Sequence, residues 1–216
     1  TLHQRPGTFI IPNPWDAGTA KLLASLGFEA LATTSLGVAN GLGRANSTVT
    51  RAEVIENCRA LVAATSLPVN ADLENCFADA PGAAAETIRL AAEAGAVGGS
   101  IEDYTGDPAN PIYDFDLAVA RVRAAVAVAR SLPVPFLLTA RAENLLHGRN
   151  DMGDTIRRLQ AYEAAGADVL YAPGLRNLPE VRQVVAAVQR PVNVVTGWLD
   201  PDITLSQLAE AGVKRV

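Results

Sequence analysis

The amino-acid sequence predicts an α/β fold, a (β/α)8 TIM barrel formed by residues 1–216 as one domain. Short apolar runs alternate with longer, alanine-rich amphipathic runs along the whole chain, a pattern typical of a parallel sheet. Counting the apolar runs gives seven strands and the beginning of an eighth, which favours a closed barrel over an open sheet of five or six strands. Helices end alternately in glycine and proline signals, which indicates a repeat of two βα units.

The elements follow in a regular order. The predicted strands are residues 8–13, 29–35, 67–74, 96–102, 135–141, 168–173, 191–195 and 213–216. The predicted helices are residues 16–28, 50–65, 82–94, 114–130, 151–165, 177–189 and 204–211. Four helices end at a glycine that is expected to take the left-handed conformation, namely Gly27, Gly95, Gly166 and Gly212. The chain ends within the eighth strand, so we expect the barrel domain to be incomplete at its C-terminus.

Composition narrows the class of function. Hydrophobic residues make up 49% of the chain, charged residues 19%, and the net charge is −5. No apolar run approaches a membrane span of about 18 residues, and no basic patch suggests nucleic acid, so we expect a cytoplasmic protein that acts on a small molecule. Only Lys21 and Lys214 are lysines among 18 basic residues, and neither is placed for Schiff-base chemistry.

Charged residues follow three consecutive predicted strands. Asp72 and Glu74 end the third strand, Glu102 the fourth, and Arg141 the fifth, with Glu143 two residues later. In a barrel these strand ends face the active-site mouth. Oxygen ligands without paired histidines or cysteines favour Mg²⁺ or Mn²⁺. The alternative is a structural network in which the acids cap helices or pair with the arginine.

The segments "NADLEN", "GSIEDY" and "LTARAEN", in this order, resemble the isocitrate lyase/phosphoenolpyruvate mutase superfamily. The resemblance extends over nearly the whole chain. It implies a Mg²⁺-dependent barrel that acts on 2-oxo or 2-hydroxy acids through a pyruvate-like enolate. It also implies a homo-oligomer, typically a tetramer.

The resemblance assigns expected roles to individual residues. Asp72 matches the principal metal ligand, Glu74 replaces a second aspartate, and Glu102 matches a glutamate that reaches the metal through water. Arg141 matches the arginine that binds the substrate carboxylate. The remaining substrate-binding positions implied are Ser35, Leu36, Gly37 and Asp16.

The sequence also departs from the family pattern. The loop "YTGDPANPIYD" after the fourth strand contains no cysteine, histidine or lysine, unlike the loop of the isocitrate-cleaving lyases. "ARAEN" is closer to the mutase-like branch. Candidates for the protonating acid are His147, Glu143, Tyr104 and Cys76.

The favoured hypothesis is a Mg²⁺-dependent lyase, of decarboxylase or alkylmalate-lyase type, that cleaves a C–C bond of a small 2-oxo or 2-hydroxy carboxylic acid. Two alternatives remain open at this point. One is a phosphonopyruvate-type P–C mutase or hydrolase, and the other is a noncatalytic carboxylate-binding barrel.

Overall fold

The computed structural model describes residues 2–216, which fold around one parallel sheet. Six strands lie side by side in the order in which they occur in the chain. They are β1 (Leu31–Ala32), β2 (Val69–Ala71), β3 (Gly98–Glu102), β4 (Leu137–Arg141), β5 (Val169–Tyr171) and β6 (Val192–Asn193). Because all neighbours are parallel, their carboxyl ends lie at one edge of the sheet.

The prediction of a closed eight-stranded TIM barrel is wrong: the sheet has six strands and is open. The first and last predicted strands, residues 8–13 and 213–216, form isolated parallel bridges instead, in which Arg215 pairs with Phe9 and with Asn193. The first of these segments contains Pro12, which has no N–H group to donate to a ladder. Neither segment extends a continuous ladder.

Eight α-helices surround the sheet in the described part of the chain. They are α1 (Ala17–Ser25), α2 (Ser35–Gly41), α3 (Arg51–Ala64), α4 (Pro81–Glu93), α5 (Phe115–Ser131), α6 (Met152–Ala164), α7 (Leu178–Ala187) and α8 (Leu205–Glu210). Seven of them coincide with the predicted helices. The sequence did not predict α2, because two glycines in its seven residues weaken the helical signal.

Side-chain caps fix the helix starts. Thr50 and Glu53 form a reciprocal capping box at the start of α3, and Thr204 and Gln207 form another at α8. The four predicted C-terminal glycines all have a positive φ, from 88° at Gly27 to 102° at Gly166. This prediction is confirmed, and it explains why each helix turns sharply into the next strand.

The hydrophobic core lies between the sheet and the helices. Its fully buried side chains include Ile88, Leu138 and Leu170, and alanines such as Ala125 allow close approach of helix and sheet. Among residues 2–216, no helix is both long enough and apolar enough to cross a membrane.

Candidate active site

A cavity of about 550 Å³ opens at the carboxyl ends of the strands. It is lined by most of the residues that the sequence singled out: Ser35, Leu36, Asp72, Glu74, Glu102, Arg141, Glu143 and His147. Two predicted substrate-binding residues do not line it. Asp16 is exposed and caps α1 through the Thr19 backbone N–H, while Gly37 is buried in the first turn of α2.

Arg141 joins the ends of three strands. Its Nε lies 2.7 Å from Glu143 Oε1, and its Nη1 lies 2.8 Å from Glu102 Oε1 and 3.3 Å from Asp72 Oδ1. Burial opposes the charge of this guanidinium, but Glu102 and Glu143 together raise the pKa of Arg141 above its ordinary value. Arg141 is therefore a fixed cation among three acids.

Asp72 is held in place by the segment that follows β1. Its backbone N–H donates to Thr33 Oγ1 at 2.8 Å, and its Oδ2 accepts from both the N–H and the Oγ of Ser35, at 2.8 and 2.9 Å. Its other oxygen, Oδ1, faces Arg141 and Ser100 Oγ. Ser35 thus positions Asp72 in this structure.

Glu74 stands in an unusual conformation. β2 ends at Ala71, and Glu74 has a φ of 47°, in the left-handed region that a residue with a side chain rarely adopts. Its Oε1 is buried and has no hydrogen-bond partner in the described structure. Burial, reinforced by the nearby Asp72 charge, raises the pKa of Glu74 to about 7. Because β2 has already ended, the alternation of side chains along a strand does not determine where Glu74 points. Its side chain nevertheless lines the cavity.

Glu143 is anchored from the neighbouring strand end. Its backbone N–H donates to Asp103 Oδ1 at 2.7 Å, and Asp103 in turn is held by Arg158 and the Tyr162 hydroxyl. Burial raises the pKa of Glu143 to about 7, although Arg141 opposes the shift. Glu143 can therefore gain or release a proton near neutral pH.

His147 lies beside Glu143 at the rim of the cavity. Its Nε2 is 3.8 Å from Glu143 Oε2, and its ring stacks on Tyr104 at 3.7 Å between centroids, with 5° between the planes. Burial, with a contribution from Arg141, lowers the pKa of His147. The imidazole is therefore neutral at pH 7, with one ring nitrogen carrying a proton and the other free to accept one.

The other two protonation candidates differ in access. Cys76 is fully buried, and burial raises the pKa of its thiol to about 12, which disfavours the reactive thiolate. Tyr104 is the single residue of the 103–114 loop that lines the cavity. An antiparallel bridge between Tyr104 and Ile112 folds the loop back on itself. This loop places no other polar side chain in the cavity.

The predicted metal ligands are near one another but do not form a compact cluster. Within residues 2–216, no three His, Cys, Asp or Glu side chains converge closely enough to bind one ion directly. An ion held by one or two carboxylates, with water in the other positions, is the arrangement that Mg²⁺ commonly adopts. The ligand roles of Asp72, Glu74 and Glu102 remain predictions.

Many residues that line the cavity were not predicted as site residues. Thr139, Tyr171, Asn193 and Arg215 line the inner part of the cavity, and Arg141 lies over the Tyr171 ring, 4.7 Å from its centroid. The available signal was Arg215, between Lys214 and Val216 in the strand-like run "VKRV", because a charged side chain in a buried strand needs polar surroundings.

Comparisons with known proteins match one family along the whole chain. The family model described as phosphoenolpyruvate phosphomutase matches residues 1–216. A candidate lyase/mutase from Burkholderia cenocepacia J2315 has a crystal structure that superposes with a TM-score of 0.97 at 61% identity, covering 100% of this chain and 77% of that chain. The 2-methylisocitrate lyase of Escherichia coli K12 is 31% identical over 208 residues, 92% of this chain and 69% of the relative. A 2,3-dimethylmalate lyase structure aligns with a TM-score of 0.90 at 26% identity, covering 99% of this chain and 76% of that chain.

Proposed function

We propose a function for this chain, which belongs to the phosphoenolpyruvate phosphomutase family of the isocitrate lyase/phosphoenolpyruvate mutase superfamily. It is a Mg²⁺-dependent carbon–carbon lyase. Its substrate is a small 2-oxo or 2-hydroxy carboxylic acid, and the reaction passes through a pyruvate-like enolate. The observation that best supports the proposal is the contact of Arg141 with Asp72, Glu102 and Glu143 in one cavity.

The charges in the cavity favour a bound cation. Four acids, Asp72, Glu74, Glu102 and Glu143, line the cavity against two arginines, and the buried Glu74 Oε1 lacks a partner. The donors are all oxygens, which suits Mg²⁺ or Mn²⁺. Asp72 would hold the ion directly, while Glu74 and Glu102 would bind its waters. When bound, the ion supplies positive charge that stabilises a developing enolate.

The chain's own residues bind and orient the substrate. The guanidinium of Arg141 offers parallel N–H groups that match a carboxylate, so a substrate carboxylate would take over part of its present pairing with Asp72. Ser35 donates two hydrogen bonds to Asp72 Oδ2 and so orients the carboxylate whose other oxygen faces Arg141. Exclusion of water by these buried groups strengthens each electrostatic contact.

Glu143 and His147 are the groups that transfer the proton to the enolate. Cleavage of the bond to C3 leaves an enolate that must gain a proton to give the product. Burial raises the pKa of Glu143 to about 7, and its Oε2 lies 3.8 Å from His147 Nε2, so a proton would pass between the two groups through one bridging water or after a small side-chain movement. Since the 103–114 loop places only Tyr104 in the cavity, the structure offers no specific support for P–C chemistry.

The test is pyruvate release from oxaloacetate, alkylmalates and phosphonopyruvate, coupled to NADH oxidation by lactate dehydrogenase, with Mg²⁺ or with EDTA. Full-length wild type is compared with Asp72→Asn, which keeps the shape but removes the charge. Turnover of a C–C substrate that EDTA and Asp72→Asn both abolish supports the proposal. Turnover of phosphonopyruvate alone would establish P–C chemistry, and absence of turnover despite Mg²⁺ binding would favour a binding protein.

A further inference from the structure

Arg215 is a buried cation in the inner part of the cavity. Arg215 is only 4% exposed to solvent. Its Nε donates to Asn193 Oδ1 at 2.5 Å, and its Nη2 donates to Thr139 Oγ1 at 3.0 Å. The bridge to Asn193 and the bond from Val194 N–H to the Arg215 carbonyl, at 2.9 Å, fix its backbone beside β6. The guanidinium is therefore held in one orientation by both backbone and side-chain contacts.

Arg215 differs from Arg158 in having only neutral acceptors, and it differs from Arg121 in lining the cavity. Arg158 pairs with Asp103 and Asp154, and Arg121 donates to the carbonyl oxygens of Asn75, Ala78 and Asp79. Among the described residues, no carboxylate lies within ion-pair distance of Arg215.

The Nη1 group of Arg215 has no hydrogen-bond partner among residues 2–216. Burial lowers the pKa of Arg215 only to about 10, so the side chain stays charged at neutral pH. Buried charges are normally paired, because an isolated one is costly to desolvate. A guanidinium that lines a ligand cavity, and whose charge no acid among residues 2–216 compensates, is thus suited to binding an anionic group of a ligand.

We propose that Arg215 is the specificity-determining residue that binds a second carboxylate of the substrate. The inference rests on the proposed function, in which Arg141 binds the first carboxylate. The acids around Arg141 already compensate its positive charge, whereas no acid among the described residues compensates the charge of Arg215. The preferred substrate is accordingly a dicarboxylate that places its first carboxylate at Arg141 and its second at Arg215, with Asn193 and Thr139 orienting the guanidinium.

The test compares L-malate with L-lactate, which share a 2-hydroxy acid end and differ in one carboxylate. Affinities are measured by isothermal titration calorimetry in Mg²⁺. Wild type should bind malate at least about tenfold more tightly than lactate, because a charge-assisted hydrogen bond contributes at least that factor. Arg215→Met should remove this preference and leave lactate affinity within about threefold of wild type, since lactate does not reach Arg215.

A second variant keeps the inference falsifiable if Arg215→Met folds poorly. Asn193→Asp retains the acceptor for Arg215 Nε but adds the missing counter-charge, so it preserves the fold while neutralising the guanidinium. It should lower the malate preference at least about tenfold. A malate-to-lactate ratio unchanged in the folded variants would overturn the inference alone. Failure of wild type to bind either acid in Mg²⁺ would overturn the proposed function together with it.

Discussion

Arg141 Nη1 lies 2.8 Å from Glu102 Oε1, so a buried ion pair joins the carboxyl ends of β4 and β3. The two residues are also directly opposite each other in the strand register. Backbone pairing therefore fixes the separation of the two Cα atoms, and the side-chain rotamers then bring the charges into contact. This arrangement brings the guanidinium within reach of carboxylates from three strand ends.

Arg141→Lys should reduce kcat/KM by about 10–100-fold, because an ammonium group cannot contact several carboxylates in the fixed geometry of a guanidinium. Steady-state kinetics on the substrate found by the pyruvate assay would measure the change. The exposed Arg149→Lys serves as the control and should retain wild-type kinetics. Equal activity of Arg141→Lys and wild type would rule out a role for the guanidinium fork.

Glu74 makes the stability of the metal-free protein depend on pH. Its folded pKa of about 7 exceeds the ordinary value of 4.5, so between these values the folded state binds a proton that the unfolded chain has lost. The free energy of unfolding should therefore fall as pH rises through this window. Glu74→Gln cannot ionise, so it should gain about 1–2 kcal/mol relative to wild type from pH 4.5 to pH 7.5, after allowance for partial exposure.

Urea denaturation in EDTA at a series of pH values would measure this difference. Comparing variant with wild type at each pH removes the opposing contribution of His3 and His147, whose pKa values are lowered by burial. The exposed Glu56→Gln should parallel the wild-type curve. A Glu74→Gln curve that also parallels wild type would contradict the prediction.

Arg121 stabilises the loop that contains Glu74. It is 1% exposed and donates to the carbonyl oxygens of Asn75, Ala78 and Asp79, in a loop where Cys76 and Phe77 have positive φ. Arg121→Met would leave these carbonyls without donors, so the free energy of unfolding should fall by about 2–4 kcal/mol. Mg²⁺ affinity should fall as well, because the loop positions Glu74.

Chemical denaturation and Mg²⁺ titration calorimetry would test both effects. Arg123→Met, on the exposed side of the same helix, is the matched control and should change neither quantity. If Arg121→Met bound Mg²⁺ as wild type does, its role would be confined to stability.

Gly37 and Gly41 offer a matched pair within α2. A Cβ at Gly37 would lie 2.5 Å from Trp15 Cδ1 and 2.6 Å from Thr34 Cγ2, whereas a Cβ at Gly41 would meet nothing within 4 Å. Gly37→Ala should therefore destabilise the protein by about 1–3 kcal/mol, while Gly41→Ala should be neutral or stabilising. Thermal unfolding of the two variants would check the difference, and equal melting temperatures would contradict it.

His147→Phe retains the stack on Tyr104 but removes the nitrogens near Glu143. If His147 transfers a proton, kcat should fall by about 100-fold while KM changes little. Kinetics and the pH profile of kcat would measure both. Tyr104→Phe keeps the ring but removes the hydroxyl, so the same assay tests Tyr104 as the alternative acid. An unchanged kcat in His147→Phe would limit this residue to packing and leave proton transfer to Glu143.

The sequence by itself determined the alternation of strands and helices and the chain positions of Asp72, Glu102 and Arg141 at strand ends. These features depend on local periodicity, helix caps and left-handed glycines, which a single chain segment encodes. Seven of the eight α-helices and the four helix-ending glycines were predictable for this reason.

Only the tertiary structure decided how many strands pair, because a ladder depends on partners distant in the chain. Residues 8–13 and 213–216 have strand-like composition, yet they form single bridges and leave the sheet at six strands. Tertiary contacts likewise turned Glu74 into a left-handed conformation and placed Arg215 in the cavity without a carboxylate. Long-range packing determines the conformation of Glu74 and the position of Arg215, and a local sequence pattern cannot predict either one.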